Sequence, residues 1–162
     1  MFTQEYLKSI LNYNELTGLF TWKIQLSNRN KIGNIAGAKN KIGYVVIGIN
    51  GKTYYAHRLA WLYIYGKIEK NIIDHINGIK DDNRIENLRN VCKKINGQNR
   101  KNISYNNESG YLGVHWDNYS KKWKSSITIN GKNKYLGRFN NIKLAHETYL
   151  KAKRELHEGC TI

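Results

Sequence analysis

Apolar and polar positions change rhythm several times along the chain, and each change predicts an element. Over residues 3–11 (TQEYLKSIL), Tyr6, Leu7, Ile10 and Leu11 recur at helical spacing behind Thr3, whose hydroxyl suits a helix N-cap. A glycine-marked β region follows. Gly18 precedes LFTWKI, Gly33 and Gly37 bracket a short polar segment, and GYVVIGINGKTYYA reads as two strands around Asn50-Gly51. That dipeptide favours a two-residue hairpin because both positions tolerate positive φ. From 57 to 65 (HRLAWLYIY) the spacing turns helical through Leu59, Ala60, Leu62 and Tyr63, with Gly66 placed to end the helix. NIIDHI then reads as a short buried strand, NGIKDDNRIEN as a polar loop, LRNVC as a second strand and KKINGQNRK as the start of a helix. Strand, loop, strand and helix in so short a span form a compact supersecondary unit.

Beyond it the pattern breaks. Residues 100–110 are polar, basic and poor in apolar side chains, which reads as a linker. YLGVHW, KWKSSITI and KNKYLGRF then predict three strands, with Asn130-Gly131 turning between the last two. The chain closes on a helix from Ile142 to His157, in which Ile142, Ala145, Tyr149, Ala152 and Leu156 line one face. The expected architecture is α+β. Residues 1–53 form an N-terminal region with a β-hairpin, 54–100 the strand–strand–helix unit and 101–108 the linker. Residues 109–158 form a small three-stranded antiparallel sheet packed on one helix.

Composition narrows the class. The 162 residues include no proline, so glycine and asparagine do the punctuating, and a 40% hydrophobic content supports folding. No stretch approaches the roughly 18 consecutive apolar residues of a membrane helix. The first residues carry early acidic side chains and lack a small-residue cleavage site, which points to a soluble cytoplasmic protein. Cys92 and Cys160 are too few for a disulfide framework and have no CxxC partner. A metal, if used, must be held by oxygen and imidazole, which favours magnesium. The charge is the strongest global feature: 27 Lys+Arg against 12 Asp+Glu, net +15. Such an excess attracts polyanions, nucleic acid foremost, although a Lys-, Asn- and Ile-rich composition also follows from AT-rich coding.

Candidate chemistry gathers in residues 57–99. Phosphodiester hydrolysis needs a base to activate water and a cation to stabilise charge on phosphate and leaving oxygen. Asp74 and His75 are adjacent at the end of an expected strand, and Asn77-Gly78 bends the chain after them. Asn96 lies on the short helix, where its carbonyl can complete a metal site with Asp74. On residues alone, a structural histidine and a chance asparagine remain open alternatives.

The whole string, AHRLAW through DHINGIKDDNRIENLR to KKINGQN, resembles the HNH endonuclease family over residues 54–99. It is most similar to the phage and intron-encoded branch, in which asparagine replaces the final histidine. YNELTGLFTWK and GNIAGAKNKIGYVVIGINGKTYYA also resemble what precedes the motif there. The resemblance implies a ββα-metal unit with His75 as general base and Asp74 and Asn96 as ligands of one divalent cation, magnesium or alternatively manganese. It implies that Asn87 secures the loop between the strands and that His57 plays a supporting part. A second ion is not expected at Asp81 and Asp82, in a loop that reads as solvated. Arg84 and Arg89 are candidates for phosphate contact, with packing across the strand an equal alternative for Arg89. Such proteins are encoded by phages or mobile elements and act inside a host cell.

Residues 109–152 resemble a second family, the Apetala/ethylene-response-factor DNA-binding domain, through GYLGVHW, the KW of the second strand, YLGRF and the alanine-spaced helix. This implies a sheet lying in the major groove with the helix behind it. Alternation sets Trp123, Ser125, Ile127 and Ile129 on one face and Lys122, Lys124, Ser126 and Thr128 on the other. Lys122 and Lys124 are therefore expected to face phosphates, with His115, Trp116, Tyr135 and Arg138 as further contacts. The expected function is a metal-dependent endonuclease acting on duplex DNA, with a monomer slightly favoured. A non-cleaving DNA-binding regulator with the same fold is the alternative. An RNA-binding protein is the third reading, and it lacks an RNP-like or GXXG clamp.

Overall fold

The first helix begins as its sequence predicts: Thr3 Oγ1 accepts a hydrogen bond from the Tyr6 N–H at 3.2 Å and caps α1 (Gln4–Ile10). The computed structural model describes residues 2–28 and 30–162. They fall into two compact units, Met1–Lys93 and Lys94–Ile162.

In the first unit, Leu11 leaves the helix and starts β1 (Leu11–Asn14), a strand the sequence pattern did not predict. It pairs antiparallel with β2 (Leu19–Trp22), Leu11 opposite Trp22 and Tyr13 opposite Phe20, and all four side chains are buried. Two of the four β1 residues are asparagines, poor strand formers, so burial across the hairpin outweighs propensity. A second sheet runs β3 (Ala38–Lys39), β4 (Val45–Ile49), β5 (Lys52–Tyr55), all antiparallel. Its β4–β5 turn is the expected Asn50-Gly51, at φ 50° and 72°. The chain enters α2 (Ala56–Tyr65) directly, and Gly66, left-handed at φ 72°, ends it by donating to the Leu62 carbonyl.

Leu7, Ile10, Phe20, Ile47, Leu59 and Leu62 form the centre of one core to which every element of this unit except β3 contributes. Full burial of each such side chain contributes about 1.5–3 kcal/mol. Two of its members, Ile73 and Leu88, belong to β6 (Ile72–His75) and β7 (Leu88–Val91), an antiparallel pair joined by a polar loop and a short 3-10 turn at Ile85–Asn87. The core thereby fixes the strands that carry Asp74 and His75. A short helix, α3 (Lys93–Gln98), follows β7.

The second unit holds β8 (Val114–Asp117), β9 (Lys122–Ile129) and β10 (Lys132–Phe139) in the antiparallel order β10-β9-β8, with α4 (Ile142–Leu156) against all three. Asn141 caps α4 by accepting from the Lys143 N–H at 2.8 Å. Ala145 and Ala152 are buried, and their small size lets helix and sheet approach. The division of the chain falls between Lys93 and Lys94, ahead of the linker expected at 101–108. Composition could not show why. The Lys153 ammonium donates to the Arg100 carbonyl, Thr161 to Asn99, and Lys101 to the Thr161 carbonyl, so 99–101 are tied to the second unit.

Candidate active site and the C-terminal sheet

Strand alternation sends Asp74 and His75 to opposite sides of β6. On one side, Asp74 stands opposite Arg89 of β7, and its Oδ2 accepts from Arg89 Nε at 3.1 Å and Nη2 at 3.0 Å. Of the two sequence readings of Arg89, the cross-strand one describes this arrangement. Arg84 is likewise engaged, donating to Asp82 and to Glu86 at 2.8 Å each. Asp81 and Asp82, read as solvated, both carry partners: Lys39 reaches Asp81 at 2.6 Å, and Asn77 reaches Asp82 at 2.7 Å. The Arg84 guanidinium, and after it Asn77, holds the Asp82 carboxyl down at about 2 despite its burial.

On the other side His75 is 4% exposed. Its ring meets the His57 ring edge-on, 4.9 Å between centroids, and lies 5.9 Å from the Tyr44 ring. Its Nε2 is 3.1 Å from Asn83 Oδ1. Burial pushes the His75 imidazole below its ordinary pKa, while Asn83 and Asp74 pull it back up. A neutral ring is the form that can accept a proton. Burial, then the neighbouring His75 and Arg58, push His57 down to about 3, so this second imidazole is neutral too. His57 Nδ1 is buried without a hydrogen-bond partner. The pair is thus two neutral rings, edge to face, walled by tyrosine.

The loop after His75 is fastened at both ends. Asn87 Oδ1 accepts from the Asn77 N–H at 3.0 Å, and Asn87 Nδ2 donates to the Asp82 carbonyl at 2.8 Å. Asn83, Tyr44 and Tyr13 were not singled out from sequence. The signal for Asn83 is present in DDNRIEN, but nothing local distinguishes it from the chain's many other asparagines. Asn96 is half-buried on α3, within the second unit.

Among the described residues, no three His, Cys, Asp or Glu side chains gather where a metal could be held. A hard cation that keeps most of its waters needs only one or two protein carboxylates, and the Asp74 carboxylate suits that chemistry.

In the second unit the register divides the expected contacts. His115 pairs with Lys124, Lys124 with Arg138, and Tyr135 with Ser126, placing all of them on one face. Trp116 pairs with Trp123 on the opposite face, their rings 4.9 Å apart and edge-on, alongside buried Val114 and Ser125. His115 and Trp116 therefore cannot serve the same face, a consequence of period two. Arg138 donates to Asp117 at 2.7 Å and lies over the Tyr135 ring, so its charge is already matched within the unit. Lys122 is exposed and Lys124 half-buried.

His57, Asp74, His75, Asn83, Asn87 and Asn96 lie within residues 54–98, which match the family model described as HNH endonuclease. The chain belongs to that family. It is 36% identical over 87 residues to DNA endonuclease I-HmuI of Bacillus phage SP01, a stretch covering 47% of this chain and 50% of that one. The match thus spans half the length of that relative. It is 30% identical over 102 residues to Protein 3.8 of Escherichia phage T7, covering 62% of this chain and 83% of that one. A solved structure described as DNA binding and cleavage by the HNH homing endonuclease I-HmuI aligns with a TM-score of 0.45 at 26% identity. That alignment covers 93% of this chain and 88% of that one. Among the described residues, no helix is long and apolar enough to cross a membrane.

Proposed function

We propose that this chain is a metal-dependent endonuclease that hydrolyses phosphodiester bonds of duplex DNA. The observation that carries the reading is His75, a buried imidazole held below its ordinary pKa, next in sequence to Asp74 on β6. His75 takes a proton from a water lying in line with the scissile phosphate. Asp74 would hold a divalent cation, magnesium or manganese, with Asn96 its second ligand by the sequence resemblance alone, and the ion would supply Lewis-acid stabilisation of the phosphate and the departing 3′ oxygen. Asn87 keeps the loop between β6 and β7 in place, and His57 backs the His75 ring. Arg89 orients the Asp74 carboxylate and Arg84 braces the loop, and both are proposed phosphate contacts.

The test is cleavage of a supercoiled plasmid carrying DNA from the gene's own neighbourhood. Nicked or linear product is expected with magnesium and none with EDTA. Tight duplex binding with no cleavage in either condition would instead support a non-cleaving regulator.

The second unit is the grip. Its sheet face opposite the Trp116–Trp123 pair carries Lys122, Lys124, His115 and Tyr135, and a twisted three-stranded ribbon suits a groove about 12 Å wide. Replacing Lys122 and Lys124 by alanine is expected to weaken binding and to flatten its salt dependence by roughly one unit of slope per lost phosphate contact. An unchanged slope in a filter-binding or anisotropy titration would remove this face from the interface.

A further inference from the structure

Asn83 is 2% exposed, and a buried carboxamide must satisfy both of its ends. Its Nδ2 donates to the Asp81 carbonyl at 3.2 Å. That bond settles which way the amide lies, because the opposite orientation would set two acceptors, Oδ1 and the carbonyl, against each other. Oδ1 consequently points at His75 Nε2, 3.1 Å away. An amide oxygen has no hydrogen to give, so the hydrogen in this contact is on Nε2. In a neutral imidazole the lone pair then resides on Nδ1.

The backbone of Asn83 is held from a distant part of the sequence. Tyr13 of β1 donates its hydroxyl to the Asn83 carbonyl at 2.6 Å. Gly18, at the β1–β2 turn with φ 72°, lies so close that a methyl group there would stand 2.5 Å from Arg84 N and 2.6 Å from Asn83 C. The hairpin turn is closed onto a loop residue whose side chain touches the histidine ring.

We infer that Asn83, clamped between the Asp81 carbonyl and the Tyr13–Gly18 hairpin, is a positioning residue that fixes His75 in its Nε2–H form and presents Nδ1 as the proton acceptor. This rests on the reading of His75 as the base, but the tautomer can be measured without any cleavage. The buried His57 ring, edge-on to His75, opposes a ring flip that would put a ring carbon in place of Nε2 opposite Asn83.

The experiment is a long-range proton–nitrogen correlation spectrum of the full ¹⁵N-labelled chain at pH 8, with the His75 signals assigned by their loss in His75→Gln. A pyridine-like Nδ1 and a pyrrole-like Nε2 are expected for the wild type. Asn83→Asp gives up the bond to Asp81 but keeps an oxygen for Nε2–H, so lower stability with the same tautomer is expected. Asn83→Leu removes the acceptor and Tyr13→Phe loosens its carbonyl, so both should mix the two forms. With cleavable DNA, kcat is expected to fall roughly 10²-fold for Asn83→Leu with KM unchanged, the scale of a misplaced catalytic group. A wild-type ring protonated on Nδ1 would overturn the inference, as would an unaltered tautomer and kcat in Asn83→Leu. Failure of the wild type to cut DNA while its Nε2–H form is observed would overturn the nuclease reading and leave the positioning role standing.

Discussion

His75→Ala is expected to lose metal-dependent cleavage by about 10²–10⁴-fold, the usual contribution of a positioned general base. That is roughly 3–5 kcal/mol of transition-state stabilisation. Duplex affinity should change little, because the ring is 4% exposed and presents almost no surface to bind through. Removing a buried ring also leaves a cavity beside His57 and Tyr44, so a folding defect must be separated from a chemical one. His75→Gln does this. It keeps much of the volume and a hydrogen-bonding end toward Asn83, yet cannot accept the proton. Both variants should be equally inactive in a plasmid assay, with the glutamine form closer to wild-type stability. Full cleavage by either one would remove His75 as the base.

The second large effect concerns folding of the C-terminal unit. Gly113 has φ 72°, and a methyl group there would stand 1.9 Å from Tyr149 Cδ2. The Tyr149 ring is carried by α4, so it can withdraw only by disturbing the helix–sheet contact. Gly113→Ala therefore incurs both the left-handed backbone penalty, about 1–2 kcal/mol, and overpacking of about 1–3 kcal/mol. Gly110 supplies the control: its φ is 69°, but nothing lies within 4 Å of where its methyl group would be. Gly110→Ala should show only the backbone penalty, about 1–2 kcal/mol. Chemical denaturation of the two variants is expected to separate them clearly, with Gly113→Ala the less stable. Equal losses would mean that the tyrosine is free to move and that the glycine is there for its φ alone.

The elements that sequence located well were those with a local cause. Thr3, Asn50-Gly51, Gly66 and Asn130-Gly131 mark their turns and caps through their own side chains or their tolerance of positive φ. The β9 alternation likewise anticipated which residues share a face, because period two is built into any strand. Elements without a local cause went unread. Nothing in LNYN announces β1, whose existence depends on Phe20 and Trp22 arriving opposite it. The attachment of 99–101 to the second unit rests on bonds to residues more than fifty positions away.

The site divides in the same way. Sequence by itself determined the family, the Asp74-His75 pair at the end of a strand, and the basic character on which the proposal of a DNA partner draws, because these depend on residue types and short spacings. Only the tertiary structure decided what each charge does. It sets Arg89 on Asp74 and Arg84 on Asp82, matches Arg138 with Asp117, and turns Trp116 away from His115. It also brought Tyr13, seventy residues away, onto the carbonyl of the asparagine that touches His75. A side chain's protonation and orientation depend on what surrounds it in space, and burial and hydrogen bonding across such distances have no signature in a run of neighbouring residues.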